Sequence, residues 1–186
     1  MVNYVVSGCP RSGTSMLMQI LTNAGMPIAT DKKREADKDN MKGYYEVDGI
    51  VDKVKENPNV VVEYDNKVLK IIHFGIQYLP KLPKGKYKLI YIERDIEEVL
   101  DSMDKMVGEK DNKRDETKEV FLKFNKLAKK LIQEREDIDF ILVNHRDLLT
   151  NPEPTIDKII EFFNIDKDKK QAMISVIDQK SYRNRR

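Results

Sequence analysis

Eight consecutive residues near the start of the chain have the types and order of an anion cradle. Gly8-Cys9-Pro10-Arg11-Ser12-Gly13-Thr14-Ser15 separates two glycines by four residues, holds an arginine between them and follows the second glycine with two hydroxyls. Backbone N–H groups of such a loop, opening into a helix N-terminus, point at a phosphate, and the peptide dipoles there favour negative charge. The spacing matches the first part of the G-x-x-x-x-G-K-[ST] loop. Thr14 stands where that pattern has lysine, so the cation that reaches the outer phosphates of ATP is missing. Arg11 supplies positive charge from another direction.

A second pair of the same chemical kind follows. Arg94 precedes Ser102 by eight residues. An arginine fork suits a phosphate, and a serine two turns along the next helix adds a hydroxyl donor.

These residues need elements to hold them. Tyr4 to Val6 reads as a short strand running into the glycine loop. Met16, Leu17, Ile20, Leu21 and Ala24 then fall on one helical face, stopped by Gly25 and Pro27. Asn59 to Glu63 is a β-branched run that predicts a buried strand, and Lys67 to Ile72 predicts another. Lys86 to Glu93 has the continuous apolar centre of a parallel strand covered on both faces. Arg94 sits at its carboxyl end, where open α/β sheets place their ligands. Asp95 caps the following helix, with Ile96, Val99, Leu100 and Met103 inward. The charged stretch 104–118 reads as a loop, and a long helix follows from Glu116. Phe140 to Val143 is the last strand. Asn151 caps a helix that has Pro152 at its first position, and a final helical segment holds Ala172, Met173, Val176 and Ile177. Alternating strands and helices predict an α/β fold: three layers, α/β/α, around a mainly parallel central sheet.

The residues Cys9-Pro10-Arg11-Ser12-Gly13-Thr14-Ser15 resemble the 5′-phosphosulfate loop of sulfotransferases, which reads Pro-[Lys/Arg]-Ser-Gly-Thr-[Ser/Thr]. Arg94 through Ser102 resembles the 3′-phosphate motif of the same family, with Ile96 where proline is usual. Lys42-Gly43-Tyr44-Tyr45-Glu46 is similar to a segment of bacterial members. Val143 to Pro152 is similar to a stretch that commonly reads Tyr-Glu-Asp-Leu-x-x-x-Pro, with His145 and Arg146 in place of the Tyr-Glu pair. The resemblance runs from about Val2 to about Phe163. It implies a P-loop nucleotide-kinase-like architecture. It also implies 3′-phosphoadenosine 5′-phosphosulfate (PAPS) as sulfuryl donor and 3′-phosphoadenosine 5′-phosphate (PAP) as product. By that resemblance Arg11, Ser12, Gly13, Thr14, Ser15, Arg94 and Ser102 bind the nucleotide. Arg11 and Lys70 serve as cations at the reacting end, and the general base is either Glu46 or His73. No acidic cluster looks like a metal cage, so no metal is expected. A P-loop small-molecule kinase and a non-catalytic PAP- or PAPS-binding module are the rival readings. Thr14 counts against the first, and the short chain and the altered Tyr-Glu pair keep the second open.

The rest of the chain bounds these readings. Its 186 residues suit one domain spanning 1–186, and a net charge of +2 gives no bias toward nucleic acid or a membrane surface. A single cysteine excludes an internal disulfide, and no apolar run approaches membrane-spanning length. A cytoplasmic enzyme is expected, with a small-molecule or carbohydrate acceptor and an open oligomeric state. The stretches 30–45 and 104–118 are the candidates for the acceptor pocket. Lys180, Arg183, Arg185 and Arg186 read as a frayed basic tail in preference to a phosphate contact.

Overall fold

A computed structural model describes residues 2–31 and 45–177. Four parallel strands form the sheet of these residues, in the order β2-β1-β3-β4: β1 (Val2–Gly8), β2 (Val68–Lys70), β3 (Lys86–Glu93) and β4 (Ile138–Asn144). Parallel strands require crossovers, and helices lie in each: α1 (Thr14–Asn23) and α2 (Ile50–Glu56) between β1 and β2, α3 (His73–Ile76) between β2 and β3, and α4 (Ile96–Val107) and α5 (Arg114–Gln133) between β3 and β4; α6 (His145–Thr150), α7 (Pro152–Phe163) and α8 (Lys170–Ser175) follow the last strand. The α/β layering expected from the sequence is what forms.

The sheet is buried on both faces, which is why β1 and β3 read as apolar runs. On one face Leu17, Ile20 and Leu21 of α1 pack with Ile156, Ile159 and Ile160 of α7 against Val6, Ile90 and Ile92. On the other, Val5, Leu89 and Tyr91 meet Ala128 and Ile132 of α5. Register sets the functional edge. Gly8 lies opposite Ile92 and Glu93 opposite Asn144, so β1, β3 and β4 end at one level. Arg94 and His145 are the next residues along.

Several expectations are corrected. Asn59 to Glu63 is not a strand: it lies within a 3-10 helix, Pro58–Tyr64. Pro58 fixes the first turn and the Asn57 side chain accepts from the Asn59 amide. Val62 remains 47% exposed. The charged stretch 104–118 is mostly helix. α4 continues to Val107 and stops at Gly108 (φ 88°), and α5 starts at Arg114. The charges are used between helices. Arg114 donates to Asp104 at 2.9 Å, Asp101 at 2.7 Å and Glu97 at 2.8 Å, clamping α5 onto α4. Asn151 occupies the N-cap position of α7 but makes no side-chain cap bond, whereas Asp95 accepts from the Glu97 and Glu98 amides as expected. Most of the stretch 30–45, including Gly43 and Tyr44, lies outside the described residues, as does the basic tail.

Candidate functional site

The loop between β1 and α1 is held in a conformation that side-chain chemistry alone would not choose. Arg11 has φ 65° and Gly13 φ 104°, both left-handed. The Ser12 amide closes a turn on the Cys9 carbonyl at 3.1 Å. Glycine is required at both ends of the loop for space. A Cβ on Gly8 would lie 2.5 Å from the Ile92 carbonyl oxygen, and one on Gly13 would lie 2.6 Å from Cδ2 of His145. A non-glycine residue held at positive φ is costly and persists where surroundings enforce it. The first intrahelical bond of α1 runs from Leu17 N to Gly13 O. The amides ahead of it are those that helix geometry leaves for capping groups or ligands. Among the described residues no side chain caps α1, and no acidic residue lies in its first turn. Ser12 is fully buried, yet its Oγ has no hydrogen-bond partner among the described residues. A buried hydroxyl without a partner is uncommon.

The two arginine-bearing motifs, far apart in sequence, touch. Nε of Arg11 donates to Oγ of Ser102 at 3.0 Å. Nη1 of Arg94 donates to the Arg11 carbonyl at 3.0 Å, helping to hold the left-handed loop. Nε of Arg94 donates to Oε2 of Glu98, also at 3.0 Å. Nη2 of Arg94 has no partner among the described residues. Loop, strand end and helix α4 therefore converge with arginines, hydroxyls and helix-start amides at one place. An anion, above all a phosphate, is the ligand such a set recognises.

Lys70 ends β2 on the other side of β1. Its Nζ donates to Oγ of Ser15 at 3.2 Å and pairs with the Glu46 carboxylate at 2.8 Å. Lys70 is 5% exposed, so this cation has been taken out of water, with the cradle's Ser15 and Glu46 among its partners. The chain Glu46–Lys70–Ser15 brings the carboxylate to the edge of the loop.

His73 is placed differently. It starts α3, 1% exposed, against the rings of Phe74, Phe121 and Phe124 at centroid distances of 4.2, 5.4 and 5.8 Å. Neither ring nitrogen has a hydrogen-bond partner among the described residues. Burial pushes its pKa down to about 4, so the ring is neutral at physiological pH.

Two residues join the site that the motifs did not single out as ligands. Glu98 is a buried carboxylate beside Arg94, one helical turn beyond it; the i,i+4 spacing was the available signal. His145 packs over Gly13 and is 6% exposed. Its pKa is lowered to about 4, first by burial and then by the positive charge of Arg94, with Glu98 opposing. No group of three or more His, Cys, Asp or Glu side chains suited to a metal ion occurs among the described residues. No helix among them is long and apolar enough to cross a membrane.

Comparison with known proteins adds to this geometry. The family model for the sulfotransferase domain matches residues 3–186. Among solved structures, the sulfotransferase domain from the curacin biosynthetic pathway is similar with a TM-score of 0.56 and 15% identity, covering 90% of this chain and 75% of that one. Mouse sulfotransferase SULT7A1, solved in complex with PAP, is similar with a TM-score of 0.52 and 13% identity over 95% of this chain. The chain spans 63% of the length of the mouse protein. The comparison with curated proteins found no match.

Proposed function

This chain belongs to the sulfotransferase family, and on that premise we propose that it moves a sulfuryl group from PAPS to a hydroxyl or amine of a small-molecule or carbohydrate acceptor. The observation that carries the reading is the junction of the two anion motifs, Arg11 to Ser102 and Arg94 to the Arg11 carbonyl. A 3′,5′-bisphosphate nucleotide presents two separated phosphates, and the two motifs form two adjoining anion sites.

The residues fit the group. The loop amides with Ser12, Thr14 and Ser15 suit the 5′-phosphate, and the buried, unpartnered Ser12 hydroxyl is available to it. Arg94 and Ser102 suit the 3′-phosphate. PAPS supplies an activated sulfur whose bond to the bridging phosphate oxygen breaks as the bond to the acceptor forms. What remains for the protein is positioning and charge stabilisation. Arg11 and Lys70 are the cations beside the loop, and each would offset negative charge developing on the leaving phosphate or the transferring group.

The acceptor proton needs a base within hydrogen-bond reach. Glu46 fills that role better than His73. Glu46 pairs with Lys70 at 2.8 Å, and the pair stands at the cradle through Ser15. His73 is enclosed by rings.

Thermal shift tests the donor. PAP should stabilise the protein by about 2.7 kcal/mol at a hundredfold excess over its dissociation constant. Mg-ATP at the same concentration should give a smaller shift, because Thr14 replaces the lysine that ATP loops use. Equal or larger stabilisation by Mg-ATP would point to a kinase instead.

A further inference from the structure

The start of α4 couples a helix cap to the arginine that precedes it. Asp95 is the N-cap, and its Oδ1 accepts from the amides of Glu97 at 3.0 Å and Glu98 at 3.2 Å. Glu98 stands three residues after the cap, the position from which a glutamate can close a capping box. Oε2 of its carboxylate accepts from Nε of Arg94, the residue before the cap, at 3.0 Å. Its other oxygen accepts from Nη2 of Arg146 at 3.3 Å. The pair of Arg94 and Glu98 is withdrawn from solvent, with side chains 9% and 2% exposed. Ser102 follows one turn further along α4, on the same face as Glu98.

The pairing fixes where the Arg94 guanidinium points. Arginine carries its N–H donors in a rigid plane, so two bonds from different nitrogens set the direction of the third. Glu98 takes Nε, and the Arg11 carbonyl accepts from Nη1 at 3.0 Å. Nη2 is then the nitrogen that can meet a ligand. A long side chain held in place before the ligand arrives does not lose its rotamer freedom on binding. A carboxylate this close to a phosphate would by its own charge repel it. The place of Glu98 beside Arg94 is therefore explained by what it does to the arginine.

We propose that Glu98 is a positioning residue for the 3′-phosphate: its carboxylate holds Arg94 with Nη2 aimed at that group, and so sets the preference for a 3′,5′-bisphosphate nucleotide. The proposal rests on the bisphosphate-nucleotide reading given above. Charge and position act in opposite directions here, which gives the proposal a sign. As a nearby negative charge alone, Glu98 would bind the ligand better once removed. As the holder of Arg94, its removal weakens the ligand, and only the ligand that carries a 3′-phosphate.

Isothermal titration calorimetry at fixed ionic strength, comparing PAP with adenosine 5′-phosphate, separates these cases. Glu98→Ala should weaken PAP about tenfold, the order of one charge-assisted hydrogen bond. Adenosine 5′-phosphate should change less than about twofold, since it lacks the group that Arg94 would meet. Glu98→Gln keeps the length of the side chain and an acceptor oxygen for Nε, so its preference for PAP should stay within about threefold of wild type. Glu98→Asp keeps the charge and draws the carboxylate back by one methylene; it should lose preference as alanine does, and it decides the question should the alanine variant fail to fold in a thermal melt. The proposal is overturned if PAP binding is unchanged or tighter in the folded variants, if both nucleotides weaken by the same factor, or if Glu98→Gln loses as much preference as Glu98→Ala. A wild type that binds the two nucleotides equally would overturn the bisphosphate reading itself. A wild-type preference that survives in Glu98→Ala and Glu98→Asp overturns the Glu98 assignment alone.

Discussion

Arg11 donates through Nε to Oγ of Ser102 at 3.0 Å, across 91 positions of sequence. The bond joins the loop that follows β1 to the second turn of α4. Each residue therefore restrains the other, and their contributions to nucleotide binding should not add. In a double-mutant cycle with Arg11→Ala and Ser102→Ala, the coupling energy for PAP should lie within about 0.5–3 kcal/mol, the range for contacting polar pairs. Strict additivity would mean that the bond is not maintained in solution.

Glu46→Gln separates binding from chemistry. The substitution removes a proton acceptor without changing shape, so PAP affinity should stay within a few-fold of wild type. PAPS-dependent turnover should fall by about 10²–10⁴, the usual contribution of a positioned base. Normal turnover in a folded Glu46→Gln protein would release Glu46 from the mechanism.

Acid should destabilise the fold through its buried histidines. His73 and His145 have folded pKa values near 4 against an ordinary value of 6.5. Between those limits the unfolded chain binds more protons than the folded one, so stability is full above pH 6.5 and is lost as the pH falls toward 4. Each fully traversed shift is worth about 3 kcal/mol. Denaturant melts across this window should show the decline, and His73→Leu should make it shallower. That variant also replaces two unpartnered ring nitrogens with an apolar group, so its stability at neutral pH should match or exceed wild type. An unchanged pH profile in His73→Leu would contradict the burial argument, and a folded but inactive variant would restore His73 as the base.

Gly13→Ala should damage the cradle. The new methyl would meet the His145 ring, at a backbone angle that alanine disfavours. A residue forced into such a conformation costs about 1–3 kcal/mol. The melting temperature should fall, and PAP binding should weaken with it. A variant with wild-type stability and affinity would show that the loop is softer than its contacts imply.

Much of the frame was legible because local signals agreed with the tertiary outcome. β3 is an apolar run with nowhere to go but a covered sheet, and Asp95 caps α4 as its position suggests. Where local and tertiary preferences diverged, the sequence misled. Asn59 to Glu63 has strand composition, but Pro58 at its start and the Asn57 cap turn it into a 3-10 helix. The run 104–118 looks like a solvated loop because its charges are counted one by one; as Arg114 with Asp101 and Asp104 they form a helix–helix clamp. At the site, the loop and the Arg94–Ser102 spacing were readable as positions, while their contacts were not. Nothing local reports that Glu98 is buried between two arginines, because a glutamate on an amphipathic helix is ordinarily solvated.

The central claim is that the loop at 8–15 and the Arg94–Ser102 pair make one site for a 3′,5′-bisphosphate nucleotide. Calorimetric titration of wild type and Arg94→Ala with PAP and with adenosine 5′-phosphate tests it most directly. Wild type should prefer PAP, and Arg94→Ala should lose about 1.5–3 kcal/mol of PAP binding, the worth of a charge-assisted hydrogen bond, while adenosine 5′-phosphate is nearly unchanged. Equal weakening of both nucleotides would show Arg94 to be a brace for the loop, and a wild type indifferent to the 3′-phosphate would contradict the account.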